Sequence, residues 1–250
     1  MTHIQTYDTR AEAYQRAFQV FLAHTDEKAV IHAWLANLID RLPAREVFID
    51  AGAGNGKLTA RLQDSFRRTI AIEISDWLRS ELALACPRAE LIAQPILEAC
   101  PGAAGDLVLC SHVLYYIPED TWLAHLEKMA SWLAPTGVLA ILMQSADCDC
   151  TRLLEHFTGQ RPDLKKLASM FRDRHGGSFE VALEREAASV VTPDLGSATI
   201  VAEFMLNLYP RKAPIARADV EAYLRATCAR AQGGFLLSID QDFLTIRPRG

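Results

Sequence analysis

The sequence lacks a run of about 20 apolar residues, the length that a helix needs to span a bilayer. The opening residues, MTHIQTYDTR, show no signal-peptide pattern, so we expect a cytoplasmic protein with reduced thiols. The chain also lacks a block of like charge, and its formal net charge is −5. Because phosphate binding requires a concentrated basic surface, we do not expect nucleic acid as a partner. The lack of a long apolar run likewise predicts no membrane partner.

Metal-ligand spacing is missing as well. The chain has six cysteines, and the only close pair, Cys148 and Cys150, has no second pair to complete a zinc site. The histidines are scattered without ligand spacing. Lys57 does not stand in the GxxxxGK[ST] frame of a P-loop. The sequence therefore predicts neither a metal centre nor a P-loop.

What the sequence does contain is a regular alternation of apolar strands and helices in a chain that is 50% hydrophobic. Helical periodicity predicts two helices, over residues 7–22 and 27–42. Further along, strands are predicted at 46–52, 69–75, 89–95, 105–112 and 137–145, separated by helices at 57–68, 76–85 and 119–134. Continuous apolar strands alternating with helices are typical of a parallel sheet that is covered on both faces.

The pattern is less regular after residue 150. Helices are predicted at 151–157, 162–174, 192–209 and 216–232. Residues 179–191 fit either a strand or a helix, and residues 235–248 fit one strand or two. The prediction is an α/β fold with additional helical segments before and after the core.

The stretch VFIDAGAGNGKLTARL places Asp50, Gly52, Gly54 and Gly56 between a predicted strand and a predicted helix. Glycine allows a sharp turn and a close approach of a ligand to the backbone. A helix N-terminus adds free N–H groups and the positive end of its dipole. Glu73 ends the next strand, where an acid can accept hydrogen bonds from ribose hydroxyls. Together these features predict a cofactor that contains a nucleoside.

The glycine spacing distinguishes between two cofactor classes. A dinucleotide site requires GxGxxG, whereas this chain has GxGxG and carries Lys57 where the third glycine would stand. A nucleotide-cofactor oxidoreductase is thus the weaker alternative, and a non-catalytic binding module is a third. An acid followed by GxGxG resembles motif I of the class I S-adenosylmethionine-dependent methyltransferases.

The resemblance continues through residues 46–145, because GDLVLCSHVLYYIPED resembles motif IV and LEKMASWLAPTGVLAIL resembles the segment that follows it. It implies a Rossmann-like, mostly parallel sheet of seven strands within a single methyltransferase domain, residues 1–250. Within that domain it implies an N-terminal helical cap (1–44), a cofactor-binding core (45–146), insertions that form a substrate lid (147–234) and a closing strand (235–250). The implied cofactor is S-adenosyl-L-methionine, with S-adenosyl-L-homocysteine as product, in a monomer or a homodimer.

The resemblance also implies a set of cofactor-binding residues. These are Asp50, Gly52, Gly54, Gly56, Glu73, Ser75, Gln94, Pro95 and Ser111. One position departs from the family, where many members carry an acid after the third strand that contacts the adenine amino group. Here Gln94 and Pro95 follow that strand, so Gln94 or a backbone group would have to substitute.

The flanking segments resemble histamine N-methyltransferase, through YQRAFQVFLAHTDEK, HVLYYIPE, TIVAEFMLN and FLLSIDQDFLTI. This resemblance implies an amine pocket lined by Tyr14, Phe18, Glu27, His112, Tyr115, Tyr116 and Phe204. Glu27 matches the carboxylate that binds the cationic side of the substrate. His112 replaces an amide of that family, and Ile239 stands nearest to its asparagine on the last strand. Because two of three polar contacts differ, histamine itself is not assumed as the substrate.

Methyl transfer from a sulfonium is an in-line displacement for which the protein supplies orientation and electrostatics. An amine is mostly protonated near neutral pH, so it must lose a proton before it attacks. Our hypothesis is that His112 orients the acceptor or takes its proton, and that Glu27 pairs with a positive group. Each residue also has a structural interpretation: His112 as a polar strand end, Glu27 as an acid at a helix N-terminus. O- or C-methylation of a natural-product intermediate is the alternative to N-methylation.

Overall fold

A computed structural model of the protein describes residues 2–4, 12–208 and 213–250. The helices in these residues are α1 (Glu12–His24), α2 (Glu27–Asp40), α3 (Lys57–Leu62), α4 (Asp76–Ala85), α5 (Trp122–Ala130), α6 (Asp149–Thr158), α7 (Leu164–His175), α8 (Leu195–Leu206) and α9 (Arg217–Thr227). The strands are β1 (Val47–Ala51), β2 (Arg68–Ile72), β3 (Glu90–Ile92), β4 (Gly105–Ser111), β5 (Leu133–Gln144), β6 (Phe179–Glu186), β7 (Ser189–Thr192), β8 (Phe235–Ser238) and β9 (Gln241–Pro248).

The chain divides into two compact units. The helical unit is drawn from the described parts of residues 1–32, 144–163 and 185–241. The sheet unit is drawn from residues 33–143, 164–184 and 242–250. Both units are therefore assembled from segments that are distant in the sequence.

Seven strands form one sheet in the order β3-β2-β1-β4-β5-β9-β6. Strand β1 pairs in parallel with both β2 and β4, so that Asp50 faces Ala71 on one side and Leu109 on the other. The pairs β2–β3 and β4–β5 are parallel as well. The predicted Rossmann-like sheet of seven mostly parallel strands, with helices before it, is confirmed. The strand order reverses between β1 and β4, the point at which open α/β sheets bind ligands beyond the carboxyl ends of their strands.

The central strands are buried on both faces, as their continuous apolar sequences predict. Phe48 and Ile49 in β1 are fully buried, and so is the run from Leu107 to Cys110 in β4. Burying such side chains stabilises a fold by about 1.5–3 kcal/mol each. The resulting rigid core fixes the positions of the loops that follow β1, β2 and β4.

The helical unit packs around α8, which is apolar on nearly every side. Its residues Ala198, Val201, Ala202 and Leu206 are buried in one cluster with residues of α1, α6 and α9. Asp194 caps this helix by accepting a 2.8 Å hydrogen bond from Ser197 N–H. Strands β7 and β8 form a separate antiparallel pair in the same unit.

The structure differs from the sequence prediction at several element ends; for example, the helix predicted at 216–232 ends at Thr227. The predicted helix at 119–134 ends at Ala130, and β5 already begins at Leu133, which pairs with Gly105 across an irregular register. The helix predicted at 57–68 ends at Leu62 and continues as one short 3₁₀ turn. The ambiguous segment 179–191 forms two strands, β6 and the start of β7. Residues 7–11 of the first predicted helix lie outside the described residues.

The early start of β5 comes from its pairing with β4. A Cβ on residue 137 would stand 2.3 Å from the carbonyl oxygen of Gly105, so Gly137 permits the two strands to approach closely. Pro135, Thr136 and Gly137 therefore lie within strand β5 and do not end a helix.

None of the helices that the structure describes is long and apolar enough to cross a membrane.

Candidate active site

The glycine turn follows β1 directly, and its backbone is anchored to the neighbouring strand. The N–H groups of Gly52 and Ala53 donate to the carbonyl oxygen of Ile72, over 2.9 and 3.0 Å. Gly52, Gly54 and Gly56 have φ angles of +84°, +57° and +78°. Residues that carry a Cβ rarely adopt this backbone conformation. The three glycines are thus required by the backbone of the turn.

Two of these glycines also fill tight spaces, and the third does not. A Cβ on Gly52 would lie 2.4 Å from Val113 Cγ2, and one on Gly56 would lie 2.7 Å from Leu82 Cδ1. A Cβ on Gly54 would meet no atom within 4 Å. The open face of the turn therefore lies at Gly54.

Replacing Gly54 by Ala should weaken the binding of S-adenosylhomocysteine roughly tenfold, because the added methyl group occupies the open face of the turn. The positive φ should cost about 1 kcal/mol of stability. Gly52→Ala is the comparison variant, since its clash with Val113 should reduce stability further. Titration calorimetry and urea unfolding measure the two effects. Affinity equal to the wild type in folded Gly54→Ala would contradict a ligand at this face.

Asp50, the acid of the glycine motif, is buried in the core. It is 3% exposed, and its Oδ2 accepts a 2.7 Å hydrogen bond from Thr59 Oγ1. Burial raises the pKa of Asp50 from 3.8 to about 6; the Thr59 hydrogen bond opposes this shift, and the charge of Glu73 adds to it. Asp50 thus joins the end of β1 to helix α3 through Thr59, which the sequence prediction did not single out.

Glu73 lies directly after β2, and its carboxylate holds the backbone on both sides. Its Oε2 accepts a hydrogen bond from Gly54 N–H (2.9 Å), and its Oε1 accepts one from Ser75 N–H (2.8 Å). Ser75 in turn caps α4, because its Oγ accepts from Leu78 N–H at 3.4 Å. The structure thus brings together Glu73, Ser75 and the glycine turn. A carboxylate can accept up to four hydrogen bonds, so Glu73 has capacity for further donors.

The other predicted cofactor residues lie at or after the ends of neighbouring strands of the same sheet. Gln94 and Pro95 are exposed after β3, and the Pro95 carbonyl accepts hydrogen bonds from Glu98 and Ala99 N–H. Ser111 is the last residue of β4 and is half-buried. Ile74, next to Glu73, is 63% exposed.

His112 follows β4 and has an unusual backbone. It is the only non-glycine residue with a positive φ among those described, at +58°, and its N–H donates to Leu142 O over 3.0 Å. Its ring lies 5.8 Å from that of Tyr115, which is buried, whereas Tyr116 is 67% exposed. Such strain persists only where the surroundings impose it, and it is concentrated at functional sites.

In the helical unit, the three aromatic residues predicted to line the pocket contact one another. The ring centroid of Phe204 lies 5.6 Å from that of Tyr14 and 5.5 Å from that of Phe18. Phe21, which the prediction did not include, lies 5.2 Å from Phe204. Phe21 follows Phe18 by three residues on α1, and this helical spacing could have indicated that the two rings share one face. These four residues form the aromatic cluster of the helical unit.

Glu27 begins α2 in the helical unit and is only 3% exposed. Its N–H donates to Thr25 Oγ1 over 3.1 Å, and its Oε2 lies 3.6 Å from Lys28 Nζ. Burial is the main cause that raises the pKa of the Cys150 thiol, and the charge of Glu27 is a smaller cause. The charge of the Glu27 carboxylate is therefore felt at a buried thiol of the helical unit. Glu203 is a second buried acid that the prediction missed; it pairs with Arg217 Nη1 at 2.8 Å.

The described residues contain no group of three or more potential ligands that could hold a metal ion. The polar groups described above are instead backbone N–H groups, carboxylates and one imidazole. At the carboxyl ends of β1 and β2 they offer a turn with an open face and an acid with capacity for further donors. These groups could hold the nucleoside portion of an S-adenosylmethionine-type cofactor.

Comparisons with known proteins agree with this geometry. A family model described as a methyltransferase domain matches residues 22–184. No curated protein sequence matches the chain. The chain is similar in structure to the N-methyltransferase NodS of Bradyrhizobium japonicum WM9 in complex with S-adenosylhomocysteine (14% identity, TM-score 0.58, 96% of this chain and 100% of NodS covered).

Two further structures show the same fold. One is the YcgJ protein of Bacillus subtilis (11% identity, TM-score 0.62, 88% of this chain and 100% of YcgJ covered). The other is a functionally unknown protein of Deinococcus radiodurans R1 (15% identity, TM-score 0.58, 88% and 86% covered). Since the family model spans more than half of the chain, the chain belongs to the methyltransferase-domain family and is an S-adenosylmethionine-dependent methyltransferase of the class I fold.

Proposed function

We propose that this methyltransferase acts on a small molecule and transfers the methyl group to the nitrogen of an amine or imidazole-type metabolite. The observation that carries the proposal is the buried carboxylate of Glu27 in the same unit as the aromatic cluster. The resemblance of the flanking segments to histamine N-methyltransferase supports it. Histamine itself is not proposed, because His112 and Ile239 replace two of that family's polar contacts.

The chemistry of these groups suits a cation. Aromatic faces attract an ammonium group through the negative face of the ring, and a buried carboxylate pairs with it strongly when water is excluded. Glu27 is buried at the start of α2, and its Oε2 lies 3.6 Å from Nζ of the half-exposed Lys28. Its carboxylate is the group that we propose pairs with the positive charge of the acceptor.

In the proposed reaction, His112 orients the acceptor amine and takes the proton that the amine must lose. The nitrogen lone pair then forms a bond to the methyl carbon while the bond from that carbon to the sulfonium sulfur breaks. The products are the methylated amine and S-adenosylhomocysteine. Glu73 and the open face at Gly54 would hold the nucleoside portion of the cofactor.

The direct test supplies S-adenosylmethionine with a labelled methyl group to panels of primary amines, imidazoles, phenols and carbon acids. We expect S-adenosylhomocysteine and an N-methylated product from members of the first two panels. Methylation of phenols alone would replace the proposal by O-methylation, and methylation of carbon acids alone by C-methylation. The absence of S-adenosylhomocysteine formation with every acceptor would contradict the proposal altogether.

Replacing Glu27 by Gln should raise the KM of a cationic amine roughly tenfold, because a charge-assisted contact is lost while the size of the side chain is retained. The kcat and the affinity for S-adenosylhomocysteine should change little. Asp40→Asn removes the same charge from the exposed end of α2 and serves as the control. An equal KM for Glu27→Gln and wild type would show that Glu27 is only a helix N-terminal acid.

A further inference from the structure

Arg79 lies in α4, six residues after the acid at the end of β2, and its guanidinium turns back to that strand end. Its Nη1 donates to the carbonyl oxygens of Glu73 (2.9 Å) and Ile74 (3.2 Å). Its Nη2 contacts the carboxylate of Asp76. The Arg79 side chain is 22% exposed, whereas that of Asp76 is 93% exposed.

The two kinds of contact have different weight. An ion pair with a fully solvated carboxylate contributes little, so the contact with Asp76 does not explain why Arg79 is mostly buried. Donation to backbone carbonyls is different, because it fixes main-chain atoms that belong to the site. Those atoms are the carbonyls of Glu73, whose carboxylate binds the glycine turn, and of its neighbour Ile74.

A continuous network follows from these bonds. Arg79 holds the main chain of residues 73 and 74, Glu73 holds Gly54 and Ser75 through their N–H groups, and Ser75 caps α4. Helix α4 closes the network, since Arg79 N–H also donates to Ser75 O over 2.8 Å. The orientation of the Glu73 carboxylate is therefore coupled to the position of one guanidinium.

We propose that Arg79 is a positioning residue for cofactor binding, which acts by fixing the backbone that carries Glu73. This inference rests on the proposed role of Glu73 in binding the cofactor. Arginine suits the task because one planar fork can reach two carbonyls and a carboxylate at once, whereas a lysine ammonium offers a single point of contact. Arg79 itself is not placed against the cofactor.

The test measures the affinity of S-adenosylhomocysteine by titration calorimetry. Arg79→Met should bind it roughly tenfold more weakly, because it retains the apolar stem and loses the hydrogen bonds. Arg79→Lys should be intermediate between Met and the wild type. Arg88→Met is the control: among the described residues its guanidinium pairs with the exposed Asp64, and affinity should not change. Unchanged affinity in Arg79→Met would overturn the inference.

A double-mutant cycle with Glu73→Gln separates positioning from a general loss of structure. If Arg79 acts through Glu73, the double variant should bind S-adenosylhomocysteine about as weakly as Glu73→Gln alone. Additive losses, or a loss that matches the unfolded fraction of Arg79→Met in urea titrations, would overturn the inference. If Glu73→Gln itself binds normally, the proposed cofactor role of Glu73 fails; if only Arg79→Met binds normally, the proposal for Arg79 alone fails.

Discussion

Replacing His112 by Asn should lower kcat for an amine acceptor about a hundredfold, the usual contribution of a positioned acid or base. Affinity for S-adenosylhomocysteine should be nearly unchanged, because His112 is not among the residues predicted to bind the cofactor. The expected loss follows from the proposed role of His112, since an amide cannot take the proton of the acceptor. Steady-state kinetics with a saturating amine measure it.

Asparagine is chosen because the backbone at residue 112 is left-handed, with a φ of +58°. Asparagine and glycine tolerate this conformation, whereas alanine would add backbone strain. A lower kcat of an alanine variant could therefore come from lower stability rather than from the missing imidazole. His112→Gly is the matched variant: it should relieve the strain, gain or retain stability, and lose kcat to the same extent. If either variant keeps the kcat of the wild type, His112 is a polar strand end without a catalytic role.

The sequence predicted the sheet well because its signals are local. Continuous apolar strands, the GxGxG turn and the acid after the second strand each occur within a few residues, and each was found where expected. The end of the helix before β5 was predicted incorrectly for a tertiary reason. Leu133 pairs with Gly105, and Gly137 approaches the Gly105 carbonyl, so strand pairing overrides a local turn signal.

The site was predictable in part for the same reason. Spacing identified Glu73 as an acid near the glycine turn, but not that its two oxygens bind the N–H groups of Gly54 and Ser75. Thr59 and Arg79 were not predicted, because each looks like an ordinary helix residue in the sequence. Their hydrogen bonds to Asp50 and to the Glu73 carbonyl are visible only in the structure. Tyr14, Phe18 and Phe204 came from a family resemblance, and the ring contacts between them could not be derived from sequence spacing.

The second large effect concerns Asp50, whose replacement by Asn should stabilise the protein by about 3 kcal/mol at pH 8. The carboxyl has a pKa of about 6 in the folded chain, raised from 3.8 mainly by burial, and that gap corresponds to about 3 kcal/mol. The sign follows from proton binding. Between pH 4 and pH 6 the folded state holds the proton more tightly than the unfolded state, so wild-type stability falls as the pH rises through about 6.

Asparagine removes this pH dependence and keeps an oxygen that can accept the hydrogen bond from Thr59. Urea unfolding of both proteins at several pH values between 4 and 8 measures the difference. The advantage of Asp50→Asn should be largest at pH 8 and should fall to about 0.5 kcal/mol near pH 4, where the folded carboxyl is protonated and the unfolded one is still partly ionised. Asp64→Asn, at an exposed position, should change stability by less than about 0.5 kcal/mol throughout. A difference for Asp50→Asn that is independent of pH would mean that the buried carboxyl does not bear this charge cost, and that the acid of the glycine motif is held in the core at no expense to the fold.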